Sequence, residues 1–164
     1  MNITFGADAL PDNCVVISIF GCCTKNRGPG GYATTVQVFV DANEAEVTIA
    51  QGNAADTTSN RMEMTALLEG LHRVPAGYGK PVIVLANSDL IVGGLNKWGQ
   101  SWLRNGWHGN NGSAVKNRDL WELIFGAAKG KRICAHRIAP ARKTVLRPIA
   151  LDQARAGTLS AEAA

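Results

Sequence analysis

Residues 21–32 read GCCTKNRGPGGY, and the fold turns on how this stretch is placed. Its centre, Asn26 to Gly31, gathers asparagine, glycine and proline, the residue types that supply the unusual dihedrals of a tight connection. On one side, Val15 to Phe20 is apolar and rich in β-branched residues, the composition of a buried strand. On the other, Tyr32 to Val40 alternates in polarity as a half-buried strand does. Ala45 to Gln51 reads as a third strand, joined through a hairpin connection at Asp41 to Asn43. Three antiparallel strands in a meander are therefore expected.

Beyond the meander the spacing becomes helical. Thr57 or Thr58 can cap a helix through Met62, Thr65, Ala66, Leu68 and Leu71 to about Val74, which Pro75 and Gly77 end. Pro81 to Ala86 is a continuous apolar run, suited to a strand covered on both faces. From Asp89, helical spacing through Leu90, Ile91, Leu95, Trp98 and Trp102 is interrupted at Gly93–Gly94, and a polar loop covers 105–113. A helix at Asp119–Ala128, a short strand at Arg132–Ile138 and a last helix at Pro148–Ala163 complete the chain. The order β-β-β-α-β-α-α-β-α predicts an α/β sheet with both faces covered. Residues 1–13 read as an added arm or extra strand, and residues 14–164 as one domain.

The 164 residues are enough to bury a core, and 46% hydrophobic with 18% charged is an ordinary globular balance. No apolar run reaches the roughly 20 residues a membrane span needs, and no secretory signal is expected. Cys14, Cys22, Cys23 and Cys134 form no CxxC pair, which predicts buried thiols in a reducing, cytoplasmic setting rather than a zinc site or disulfides. His72, His108 and His136 show no ligand spacing. The net charge of +4 is unevenly placed: −4 up to Asn96, +9 from Lys97 to Arg147 and −1 thereafter. A segment this basic suits a face that meets phosphate, and equally a solvated surface.

Three motifs sit in order on these elements. Residues 21–32 resemble the first hairpin of type 1 ribonucleases H, residues 57–64 (TTSNRMEM) the start of their first helix, and residues 97–107 (KWGQSWLRNGW) with 115–121 (VKNRDLW) the basic handle of the bacterial enzymes. The resemblance runs from about Cys14 to Ala156. It implies the ribonuclease H-like fold, a five-stranded mixed sheet with three antiparallel strands followed by parallel ones, flanked by helices.

The family cleaves the RNA strand of RNA–DNA hybrids with two divalent metals. Two cations held close together repel, so several carboxylates must converge to hold them. The resemblance places those acids at Phe20, Glu63, Asn87 and Leu151, with the family's mobile histidine near Ala141; only Glu63 is acidic. Asn87 keeps an oxygen ligand without charge, and Phe20 and Leu151 cannot ligate. An isolated Glu63 is expected to have a raised pKa. The leading expectation is a catalytically silent, hybrid- or duplex-binding protein with no cofactor and no metal site. One alternative is an active, Mg²⁺- or Mn²⁺-dependent ribonuclease H with a site rebuilt from Glu63, Asp89 and Asp152. Another is a protein-interaction module or homodimer on a reused scaffold.

For binding, the resemblance implies contacts from Asn26 in the hairpin, Thr58 and Asn60 at the first helix, and Lys97, Trp98, Trp102, Arg104 and Lys116 in the handle region. Lys25, Arg27 and Arg118 add charge nearby. The competing readings are structural: Thr58 as a helix cap, and Trp98, Trp102, Trp107 and Trp121 as packing between handle and domain.

Overall fold

In the computed structural model, which describes residues 4–5 and 8–163 and the side chains of residues 10–159, the chain begins with two short strands, β1 (Thr4–Phe5) and β2 (Asp8–Ala9). They pair with each other, apart from the main sheet, and Leu10 joins a core. Residues 1–3, 6 and 7 of the expected arm lie outside the described residues.

Strand β3 (Cys14–Cys23) organises the rest. It pairs antiparallel with β4 (Gly28–Val40) in the register Cys14↔Phe39 to Cys23↔Gly30. β5 (Asn43–Thr57) pairs antiparallel with β4. After helix α1 (Ser59–His72), β6 (Pro81–Ala86) and β7 (Arg132–Arg137) add parallel to the other side of β3. The order is β5-β4-β3-β6-β7, a five-stranded mixed sheet. The glycine-rich stretch is less of a loop than its composition suggests, because Gly28 to Gly31 extend β4 against β3 and β5. The turn between β4 and β5 is tight, with Asp41 and Ala42 both at positive φ, as a two-residue hairpin requires.

Period-two alternation divides the core between the two sheet faces. Val15, Ile17 and Ile19 bury against Met64, Leu67 and Leu71 of α1, and Val82, Val84 and Ala86 join them. Cys14 and Val16, with Ile83 and Leu85, meet Leu146 and Ala150 of the last helix, α5 (Pro140–Ala163). Burial of each such aliphatic side chain stabilises the fold by about 1.5–3 kcal/mol. Thr58 caps α1, its side chain accepting the Arg61 N–H.

The handle is one nearly continuous helical stretch: α2 (Asp89–Gly93), a π-helical turn at Gly94–Trp98, and α3 (Gly99–Arg104). Gly93–Gly94 does not interrupt it. A Cβ on Gly93 would stand 2.5 Å from the Trp98 ring, and one on Gly94 would overlap the Trp121 ring, so the two glycines are seats for indoles. Asn96 fixes the handle to the sheet edge, donating to the Ala135 carbonyl at 2.7 Å and accepting from its N–H at 2.9 Å. Helix α4 (Arg118–Ala128) closes the cluster, with Trp121 fully buried between Trp102 and Phe125.

The last helix departs most from the sequence reading. It starts at Pro140, not Pro148, and Pro148 lies in its interior. Proline at a first helical position is common, and the rule selects the wrong one of two here. The consequence is functional, because residues 140–147 become helix rather than connection.

Candidate active site and nucleic-acid interface

Ligand sites in α/β sheets collect outside the carboxyl ends of parallel strands, and β3 and β6 end side by side. Strand parity turns Phe20 toward α5, as it does Cys14 and Val16, and it does the same for Asn87 after Ile83 and Leu85. Helix α5 presents Lys143, Arg147 and Leu151 at intervals of four, one face of a helix. With Cys22, Pro140 and Thr144 these residues line one cleft of about 460 Å³. The structure thus brings together Phe20, Asn87 and Leu151, the three positions where the resemblance places acids.

Glu63 adjoins this cleft from α1. Its approach depends on Gly21, where a Cβ would overlap the Glu63 backbone nitrogen. Glu63 is 4% exposed, and its Oε1 accepts the Asn87 N–H at 2.7 Å. Burial pushes its carboxyl up to about 7; the N–H groups of Asn87 and Ser88 and the charges of Arg137 and Lys143 pull the other way. Desolvation outweighs them because no cation pairs with Glu63 directly among the described residues.

Neither acid offered for a rebuilt site joins Glu63. Asp89 is 88% exposed and pairs with Arg137, while Asp152 is 73% exposed and pairs with Arg155. Among the described residues no three His, Cys, Asp or Glu side chains converge as a metal site would need. Ala141 at the start of α5 offers no imidazole. One buried carboxyl, one amide and two lining cations do not fit a pair of divalent ions.

The expected binding residues fall into separate groups. Asn60, Trp102 and Lys116 line one groove of about 410 Å³ with Leu90, Asn111 and Asn117. Trp102, however, is 7% exposed, and its ring packs against Trp107 and Trp121. It is mostly buried in the core, with little of its surface left open at the groove. Trp98 keeps 40% of its surface open beside Lys97, which lines a different groove with Leu103 and Phe125. Asn26 is exposed at the hairpin tip with φ at 51°, and Arg104 is exposed at the end of α3. Thr58 spends its hydroxyl on the cap, and Arg27 is paired with Asp56. Arg118 lies 5.5 Å over the Trp107 ring and pairs with Glu122. Arg61, which no sequence motif singles out, grips Asp119 through two bonds of 2.8 and 3.1 Å and also reaches Asn117, tying α1 to α4. Lys143, Thr144 and Arg147 are equally silent in the sequence, because the spacing starts their helix only at Pro148. Cys134 proves exposed rather than buried, and the four thiols form no disulfide.

A family model described as RNase H matches residues 12–145. Ribonuclease H of Neorickettsia sennetsu is 36% identical over 113 residues, covering 69% of this chain and 72% of that protein. The alignment with Ribonuclease H of Pelobacter propionicus, 38% identical, covers 64% of this chain and 60% of that protein. Among solved structures, LC9-RNase H1, a type 1 RNase H with the type 2 active-site motif, superposes with a TM-score of 0.71 at 21% identity, covering 91% of this chain and 75% of that one. LC11-RNase H1 in complex with an RNA/DNA hybrid gives 0.62 at 16% identity, covering 84% and 94%. At these identities the two structures establish the fold. The curated matches overturn two expectations drawn from Phe20, Asn87 and Leu151. Relatives named Ribonuclease H at this identity contradict the expectation that the chain is no enzyme. The expectation of no metal cofactor falls with it, since the family's cleavage runs on divalent metal.

Proposed function

Because this chain belongs to the ribonuclease H family, we propose that it is a ribonuclease that takes RNA–DNA hybrids and cleaves their RNA strand. The observation that carries this is the likeness to bacterial proteins of that name. In this reading residues 14–164 are the hybrid-binding domain, with the +9 segment supplying the phosphate-facing charge. Asn26 and Asn60 reach the hybrid from the hairpin and α1, and Lys97, Trp98, Arg104 and Lys116 from the handle side. Glu63 is the family carboxyl retained; its burial, partly offset by the Asn87 N–H, lets it keep or release a proton near neutral pH. The thiols without disulfides accord with a cytoplasmic location. The donor set at the cleft does not fit two metals, so no step through metal is assigned.

The test is cleavage of an end-labelled hybrid with Mg²⁺ and, separately, Mn²⁺, comparing the parent with Glu63→Gln. Metal-dependent loss of the RNA strand in the parent, reduced about 100-fold or more in the variant, is expected. A parent that leaves the hybrid intact with either metal would sink the proposal, as would cleavage unchanged by the substitution.

A further inference from the structure

The cleft that should be acidic is instead lined by cations. Lys143 and Arg147 line it one helical turn apart, together with Thr144 and Asn87, and no lining residue carries negative charge. Neither cation is in an ion pair with any described residue, although Arg27, Arg61, Arg73, Arg118, Arg137 and Arg155 all are. Their fields reach inward, since Lys143 acts on Glu63 and Arg147 on the Cys22 thiol. The remaining wall, Phe20, Cys22, Pro140 and Leu151, is mostly apolar. A cleft with donors and charge on one side and apolar surface on the other is complementary to a nucleotide unit, phosphate toward the cations and sugar toward Phe20 and Leu151.

We infer that Lys143, Thr144 and Arg147 form a phosphodiester-binding subsite in this cleft, holding a backbone phosphate of the bound polynucleotide by direct side-chain contact. The inference rests on the hybrid-binding reading above and adds residues to it. Lys143 contributes a compact ammonium, Arg147 a planar fork able to bond two phosphate oxygens, and Thr144 a hydroxyl donor. Thr144 now donates to the Ala141 carbonyl at 2.6 Å and would turn that donor to the phosphate. Phosphate contacts of this kind position a duplex without reading its sequence.

The experiment is fluorescence anisotropy of a labelled RNA–DNA hybrid titrated across a potassium chloride series in EDTA, where no divalent ion can bridge phosphate to protein. The proteins are the parent, Lys143→Gln/Arg147→Gln, the charge-keeping Lys143→Arg/Arg147→Lys, and Arg155→Gln as a cation of the same helix outside the cleft. The double glutamine variant should bind about tenfold more weakly, and the slope of log K against log salt should become shallower by about two. The charge-keeping variant should keep the parent's salt slope, and Arg155→Gln should stay near the parent in both slope and affinity. Equal slopes for parent and double glutamine variant, both folded by circular dichroism, overturn the subsite. A parent that binds no hybrid overturns the functional reading instead. In that event inorganic phosphate still tests the cleft, because it should shift the amide resonances of Asn87 and Thr144 in the parent and leave them unmoved in the double variant; no shift in the parent rejects the subsite itself.

Discussion

Glu63 is the residue at which stability and chemistry pull apart. Its carboxyl sits at about 7 in the folded chain, against an ordinary value of about 4.5. Below the ordinary value it is protonated folded or unfolded, and its neutral form fits the buried site. Between the two values only the unfolded chain ionises, so the folded state holds an extra proton and stability falls as pH rises, by up to about 1.4 kcal/mol per pH unit. Above pH 7 both forms are charged and the loss, about 3 kcal/mol in the metal-free protein, is complete. A glutamine at this position would keep an oxygen for the Asn87 N–H without a charge to bury. Glu63→Gln should therefore flatten the fall between pH 5 and pH 8 and be the more stable protein at pH 8. Urea denaturation in EDTA at several pH values reads this, and parallel curves for parent and variant would refute it. A variant that gains stability and loses cleavage separates the functional role of Glu63 from a structural one. The position itself was legible, because Asn-Arg-Met before it marks the helix start. Its isolation was legible too, since Phe20, Asn87 and Leu151 are plain in the chain.

At the scale of elements, the handle is built from glycines that serve opposite purposes. Gly94 underlies the Trp121 ring, so Gly94→Ala forces a methyl into an indole that is fully buried and has no room to retreat. Overpacking of this kind costs about 1–3 kcal/mol. Gly126 in α4 has nothing within 4 Å of an added Cβ, and there alanine should stabilise by about 0.5–1 kcal/mol through helix propensity. Thermal melts of the two variants should move in opposite directions; a shift of the same sign would mean that the indole seat is not what holds Gly94. Sequence spacing predicts these helices with a break at Gly93–Gly94, because close approach of a ring from a distant helix leaves no local trace. The same limit hid the start of α5. Two prolines compete for the first turn, and only packing of Leu146 and Ala150 under the sheet favours Pro140. Strand lengths were also underestimated, since Gly28 to Gly31 and Asn53 to Thr57 pair by backbone bonds that composition does not announce.

Over the whole molecule, charge is distributed between two places that share no lining residue. The Lys116 and Lys97 grooves flank the handle, whereas Lys143 and Arg147 face the cleft at the end of the parallel strands. The uneven charge of the chain was visible from its sequence, but not this division, because α5 and the handle are joined only through the fold. If one hybrid lies across both, the contributions should add, since sites without common partners behave independently. Lys97→Gln/Arg104→Gln/Lys116→Gln should lower the salt slope by about three and the cleft pair by about two, with the combined variant losing about five. Affinity should fall alike for hybrids of different sequence, as phosphate contacts dictate. A combined variant no weaker than the triple one would mean that the cleft and the handle never hold the same duplex, and the handle would then be the sole binding face.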